Sequence, residues 1–453
     1  MSFSLKCRSC GSTDAAHILD LGQQPLANNL LTKGDLTKPE PKFPLRLAVC
    51  KSCWMLQITD LVPPIELFSE YLYFSSFSDL MLRHSREACD GYMKEFGLND
   101  KSLVVEVASN DGYLLQNFVK AKVPCLGIEP AANIAKVARE KGIETLVEFF
   151  GKKIAGDLAT KNRQADLILG NNVFAHAPDT NDFVAGLETL VEFFGKKIAG
   201  DLAAKNRQAD LILGNNVFAH APDTNDFVAG LKTLLKPKGR IALEFPYGAD
   251  FIEHTEFDTI YHEHVFYFTL TTLKPLFERH GLTIFRVQRL PIHGGSLRLF
   301  AGHTGAHAVE KSATDLLAEE TRKGVNALGY YEGFGNQVRA IKDDLVALLA
   351  KLKKEGKSIA AYGASAKGST LLNYYGVGAD TLDFVADRST YKQGRLTPGT
   401  HIPIVPPEEL LKRKPDYTLL LTWNFADEIF AQQKAYRDAG GKFIVPIPKV
   451  KVV

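Results

Sequence analysis

The sequence predicts an α/β protein in which a doubly wound parallel sheet is flanked by a small N-terminal metal-binding module and a second, C-terminal α/β lobe. Three observations carry that reading. Two CxxC pairs lie within the first 53 residues. Short apolar strands alternate with helical stretches between Ser102 and Phe245. A second alternation of the same kind opens at Ser358.

Residues 1–70 read as the metal module, with turns at Pro39, Pro41, Pro44 and Pro63-Pro64 and little helix. Of the six cysteines, Cys7, Cys10, Cys50 and Cys53 form the pairs, and Cys89 and Cys125 stand alone. A CxxC turn lets two thiolates meet one ion, and a second pair completes a tetrahedral zinc site. With all four positions filled by Cys, such a site is closed and structural. The 39 residues between the pairs exceed the usual ribbon spacing, so two redox pairs remain the alternative.

Residues 71–305 hold the first α/β pattern. A helix over 71–100 has Met81, Leu82, Met93 and Phe96 as packing positions. Strands follow at Leu103–Val107, Pro124–Ile128, Leu146–Phe150, Ala165–Leu169 and Arg240–Phe245, with helices over 112–121, 131–141, 152–161 and 226–235. Residues 306–453 open on helix to Lys354. Strands are then expected at Ser358–Tyr362, Thr381–Ala386, Tyr417–Leu421 and Lys442–Pro446, which makes this lobe Rossmann-like.

After the first strand comes the turn Asn110-Asp111-Gly112, whose backbone N–H groups can approach a ligand. The next strand ends at Glu129, well placed for ribose hydroxyls. Together they point to an adenosine-containing ligand, beside the plainer reading of a helix cap and a surface carboxylate. A nicotinamide dinucleotide needs G-x-G-x-x-G, and Ala108–Tyr113 contains one glycine. S-adenosylmethionine has no pyrophosphate and needs less close backbone approach, which favours methyl transfer.

A tandem repeat complicates the sheet. Glu144–Leu187 recurs as Glu188–Leu231, an offset of 44 residues, and the copies differ only at Thr160 and Ala204. Two near-identical copies indicate a recent duplication rather than a solenoid, whose units diverge and number three or more. One sheet offers one slot for the copied strand. Either Asp166–Asp182 or Asp210–Asp226 is therefore displaced, or both compete, and copy two is favoured for the site because it keeps its link to the strand at Arg240.

Further motifs close strands or loops. Asp210–His220 and its twin Asp166–His176 are strands ending in asparagines, where open sheets place ligands, although a capping turn reads equally simply. Tyr261-His262-Glu263-His264 lacks the HExxH spacing of a metalloprotease, but a histidine there suits a general base, against a packed aromatic loop. His293-Gly-Gly-Ser296-Leu-Arg298 reads as an anion grip or a hairpin turn. Tyr362-Gly-Ala-Ser-Ala-Lys367-Gly368 suits a phosphate without being a Walker loop. The stretch Asp387–Arg395 follows the next strand. Basic and acidic residues nearly balance, 54 against 52, with no Lys/Arg block, so nucleic acid is not an expected partner. No apolar run reaches spanning length and the first residues lack a signal-peptide pattern, so no membrane partner and a cytoplasmic location are expected.

CRSCGS, LGQQPLANNL, CKSCWMLQITD, YLYFSSFS, EVASNDGYLL, GIEP, GNNVFAHAPD, YHEHVFYF, HGGSLR, YGASAKG, KQGRLTPGTHIPI and GGKFIVPIP occur in this order along nearly the whole chain. In them the sequence resembles the three-domain sugar C-methyltransferases, which join a four-Cys zinc domain, a class I methyltransferase domain and a Rossmann-like domain. The repeat departs from that pattern. The resemblance implies zinc on Cys7, Cys10, Cys50 and Cys53, and S-adenosylmethionine against Glu106, Asn110, Gly112, Glu129 and the strand-end asparagines Asn171, Asn172, Asn215 and Asn216. It implies Tyr73, Tyr261, Glu263 and His264 at the reacting centre, with His264 as base. His293, Ser296, Arg298, Tyr362, Lys367 and Arg395 are the candidates for the acceptor, Arg298 and Lys367 for its phosphates.

The acceptor so implied is a nucleoside-diphosphate keto-deoxysugar, often dTDP-linked, bound by a monomer or weak homo-oligomer. Deprotonation beside the ketone gives an enolate that takes the methyl group, while Tyr261 or a protonated His262 meets the developing oxyanion. The alternatives are an O- or N-methyltransferase of the same fold, or a sugar-nucleotide-binding protein inactivated by the duplication.

Overall fold

The computed structural model describes residues 5–63, 79–107, 109–129, 131–148, 158, 163, 165, 167–170, 209–215, 218–220, 223–291 and 294–453. The N-terminal module is a small antiparallel sheet. Strand β1 (Ala15–Pro25) pairs with β2 (Lys42–Cys50), and β2 pairs with β3 (Leu56–Ile58). Leu45, Leu47 and Val49 of β2 are all buried.

Helix α1 (Asp79–Phe96) packs Cys89 and Tyr92 into a core with Val104, Leu114, Phe118 and Leu169. The alternation then runs β4 (Val104–Val107), α2 (Leu115–Lys120), β5 (Cys125–Ile128), α3 (Ala132–Glu140), β6 (Thr145–Leu146) and β7 (Leu167–Gly170). These strands form a parallel sheet in the order β6-β5-β4-β7. The helix expected over 152–161 lies almost wholly outside the described residues.

The second half follows with β8 (Ala209–Asn215), α4 (Thr224–Leu234), β9 (Leu235–Pro246), α5 (Gly248–Glu253), β10 (Phe266–Tyr267), α6 (Leu270–Arg279), β11 (Leu282–Leu290) and β12 (Ser296–His303). Strand β8 runs parallel to β9, and β12 and β11 continue that sheet antiparallel. Gly294 and Gly295 therefore turn a hairpin, the simpler of the two readings of that motif. Strand β10 leaves this half altogether and pairs with β3 of the N-terminal module.

Of the expected outcomes for the repeat, displacement of one copy does not occur. Both copies form a strand. Leu167–Gly170 of copy one pairs with β4, and the equivalent Leu211–Gly214 of copy two pairs with β9. Among the described residues no ladder joins β7 to β8, so each copy uses one edge of a strand whose two edges a single copy would fill. Copy two lies beside β9, to which a single helix connects it, so the short crossover closes at low entropic cost, while copy one takes the remaining edge of β4. His84 of α1 reaches across the two halves, its Nε2 3.4 Å from Glu244 Oε1 on β9.

The C-terminal lobe begins with α7 (Lys311–Lys323) and α8 (Gly329–Lys354), which buries Leu345, Leu349 and Leu352 on one face. Then come β13 (Ile359–Tyr362), α9 (Ala366–Tyr375), β14 (Val385–Ala386), β15 (Ile404–Val405), β16 (Tyr417–Leu420), β17 (Lys442–Val445) and β18 (Lys451–Val452). The sheet order is β15-β14-β13-β16-β17-β18, parallel except for β18, so its order reverses between β13 and β16. Among the described residues no helix is long and apolar enough to cross a membrane.

Candidate functional site

The four paired cysteines converge. Cys7 Sγ lies 3.7 Å from Cys53 Sγ, Cys10 Sγ lies 3.5 Å from Cys50 Sγ, and all four sulfurs are within 4.8 Å of one another. A tetrahedron with zinc–sulfur bonds of about 2.3 Å has sulfur–sulfur edges of about 3.8 Å, so the donor set fits zinc. None of the four is in a disulfide. The turns that present them are tight: the amide of Gly11 donates to Cys7 O and that of Trp54 to Cys50 O, each at 2.8 Å. A hydrogen bond from Cys53 holds the Cys7 thiol well below its usual range. The first knuckle docks on the second copy of the repeat through Asn225, whose Nδ2 donates to Ser9 O at 2.6 Å, and on α6 through Arg279, whose Nη2 donates to the same oxygen at 3.0 Å.

The turn after β4 is the candidate donor site. Asn110 adopts a φ of 50° and Gly112 one of 72°, and the turn closes on itself: the Asn110 amide donates to Glu129, the Asp111 amide to Asn110 Oδ1 and the Gly112 amide to Ser109 O. A Cβ on Gly112 would fall 2.1 Å from Ile143 Cδ1, so the turn needs glycine twice over. Glu129 accepts from the amide of Asn110 on Oε2 and that of Ala131 on Oε1, both at 3.0 Å. Burial pushes its pKa up to about 7 despite those two bonds. Asp111 is buried and paired with Lys141 at 3.2 Å. Glu106 is fully buried in β4, between Gly127 and Leu169 of the flanking strands. The arrangement fits a nucleoside: a carboxylate fixed at a strand end beside a glycine-bearing turn.

The loop before β10 is the candidate reacting centre. His264 Nδ1 is 3.0 Å from Thr259 O, and His264 Nε2 is 2.7 Å from Tyr261 Oη. A carbonyl only accepts, so Nδ1 carries the proton and Nε2 accepts from the tyrosine. Glu263 is buried, and both its oxygens lie 3.1 Å from Asn28 Nδ2. Burial raises its pKa to about 7. Copy two of the repeat borders this loop, since the Val265 amide donates to Ala219 O and Phe218 stacks on Phe268. Asn28 is the residue that sequence reading missed: it lies in a quoted segment, but nothing in its neighbourhood signals a partner 235 residues away.

Several expectations need correction. His262 is buried edge-on to Phe43, and burial lowers its pKa, so a protonated His262 is the wrong donor for an oxyanion. Arg298 is no open anion grip. It faces Glu244 across the β9–β12 ladder and donates to Glu244 Oε2 through Nη2 at 2.6 Å and Nε at 3.0 Å. Ser296 is buried in the same ladder. Tyr362 is buried in the C-terminal lobe's core with Phe384 and Tyr436. Lys367 sits over the Trp423 ring at 4.9 Å and 4.0 Å from Glu256. Arg395 Nη1 donates to Leu30 O at 3.3 Å, which brings its loop against the Asn28 segment. Tyr73, Asn171, Asn172, Asn216 and His293 lie outside the described residues, as does the side chain of Asn215.

Known proteins match this arrangement domain by domain. A profile of zinc binding domains covers residues 7–68, one of methyltransferase domains 81–287, and one of C-methyltransferase C-terminal domains 291–448. The chain is 34% identical over 449 residues to the C-methyltransferase NovU of Streptomyces niveus, covering 99% of this chain and 96% of that one. Among solved structures, magnesium protoporphyrin IX methyltransferase ChlM of Synechocystis with bound SAM aligns at 13% identity and a TM-score of 0.25, over 49% of this chain and 81% of that one. An S-adenosylmethionine-dependent methyltransferase of Clostridium acetobutylicum aligns at 8% and a TM-score of 0.27, over 49% and 92%.

Proposed function

The chain belongs to the three-domain C-methyltransferase family, which uses S-adenosylmethionine and a four-Cys zinc domain, and on that premise we propose that it methylates a carbon beside the ketone of a nucleoside-diphosphate keto-deoxysugar, with dTDP as the nucleotide. The observation that carries this reading is the hydrogen-bond chain from Thr259 O through His264 to Tyr261 Oη. It sets the second ring nitrogen of His264 against a phenol, a base and an acid 2.7 Å apart. A base of that strength deprotonates a carbon only when a neighbouring ketone makes it acidic.

The donor supplies an electrophilic methyl group on a sulfonium sulfur. Glu129 would hold the donor's ribose beside the Gly112 turn. As the ketone enters, the Tyr261 hydroxyl turns from His264 to the ketone oxygen and stabilises the charge that develops there. His264 Nε2, so released, takes the proton of the adjacent carbon. The carbon's electron pair would then take the donor's methyl group as its bond to sulfur breaks, and the imidazolium returns its proton to solvent. Glu263, held by Asn28, backs the loop, and Tyr73 is assigned to the acceptor only on its match to the family's motif.

The C-terminal lobe takes the nucleotide end. Support comes from Arg395, whose loop rests against Leu30 beside the residue that holds Glu263. The test is mass spectrometry of a small panel of nucleotide keto sugars incubated with S-adenosylmethionine. Methyl addition at carbon is expected, with deuterium exchange of the acceptor's α-proton in heavy water. Methylation without that exchange favours oxygen or nitrogen as the acceptor atom, and turnover of none of the panel sinks the proposal.

A further inference from the structure

Open parallel sheets bind ligands beyond the carboxyl ends of their strands, where the strand order reverses. In the C-terminal lobe that point lies between β13 and β16. Here protein fills it. Gly363 follows β13 with a φ of 94°, and a Cβ there would lie 2.5 Å from Thr422 Oγ1, so the two strand ends close on each other. Just beyond, Trp423 Nε1 donates to Asp258 Oδ2 at 2.7 Å. Thr370 Oγ1 on α9 donates to Ile260 O at 3.0 Å. Phe257 stacks on Tyr375, ring centroids 5.0 Å apart. The Lys367 ammonium, over the Trp423 ring, faces the carboxylate of Glu256.

The contacts of Trp423, Thr370, Tyr375 and Lys367 fall on residues 256–260, and the chain runs from them directly into Tyr261 and His264. We infer that the C-terminal lobe uses its own ligand crevice as a dock for the catalytic loop, with Trp423, Thr370 and Lys367 as positioning residues. Asp258 is completely buried, and a buried carboxylate is costly unless paired. The indole N–H supplies that pairing only when the loop is seated, with the Lys367 ammonium adding its charge from beside Glu256, so the dock has one register. Thr259 lies between the two anchored residues, and its carbonyl fixes the His264 tautomer. A loop out of register would present the wrong nitrogen to the acceptor.

The inference rests on the catalytic role proposed for this loop, but the docking is measured without substrate. Trp423→Phe keeps the ring and removes the donor. Thr370→Val keeps the shape and removes the hydroxyl, and it stands in should the first variant fold poorly. Amide hydrogen exchange of the full chain is expected to quicken about tenfold in peptides covering 256–264, with β13 and β16 unchanged. With S-adenosylmethionine as the probe, donor affinity by calorimetry stays within about twofold, while kcat on an accepted keto sugar falls about tenfold or more, because the defect lies in orientation. Unchanged exchange in the loop overturns the inference, as does a loosened loop with wild-type kcat. If the wild-type chain methylates no keto sugar, the proposed reaction fails and the exchange result still decides the dock.

Discussion

The surroundings of Glu129 set how it responds to pH. Burial raises the Glu129 pKa from 4.5 to about 7, so the folded apo chain holds that proton more tightly than the unfolded one. Its stabilising contribution is therefore complete below about pH 4.5 and is lost as pH rises through about 7. Thermal melts of the apo chain are expected to fall between pH 5 and pH 8, and Glu129→Gln to flatten that fall. Ribose hydroxyls donate to the ionised form, so donor affinity runs the other way and strengthens across the same interval, with proton release visible by calorimetry in buffers of different ionisation heat. For His264, replacement by Ala is expected to abolish methyl transfer, a loss of about 10³-fold or more, and to leave S-adenosylmethionine affinity intact. Full turnover by that variant removes the base assignment. Individual residues were legible where the chemistry is local: the four cysteines, the Asn110–Gly112 turn and Glu129 are each marked by their own neighbours. Arg298 was misread because a cross-strand partner, Glu244, is fixed by register and not by nearby sequence.

At the level of elements, apolar runs located most strands of both α/β lobes within a few residues. The small sheet was not foreseen, because β3 is three residues long and its partner β10 follows more than 200 residues later. That pairing also determines what zinc does. The second knuckle holds the C-terminal end of β2 and the approach to β3, β3 holds β10, and β10 follows His264 directly but for Val265. Chelation, or Cys50→Ser, is therefore expected to lower the melting temperature by about 5–10 °C and also to cut kcat. Full activity in metal-free protein verified by elemental analysis contradicts that chain of support. The knuckle's contacts with Asn225 and Arg279 extend the effect to α4 and α6.

Across the whole molecule, the repeat separates two tasks that one sheet normally joins. The half built on β4 and β5 carries the donor turn, and the half built on β9 carries the reacting loop. Each half owns a copy of the strand that belongs between them. Sequence alone showed the surplus strand but could not show that both would be used, since each copy has a valid local partner. Removing residues 188–231 is expected to restore one strand with both edges paired and to raise the melting temperature by about 5–10 °C. A lower melt in the shortened chain means that the duplicated segment has become structural. The sheet shared between β3 and β10 has a further meaning for biosynthesis. During translation the first three strands emerge long before Phe266, so a bare edge waits on the ribosome for its closing partner. The leading segment is therefore no portable cassette, and grafting it elsewhere would mean supplying that missing neighbour as well.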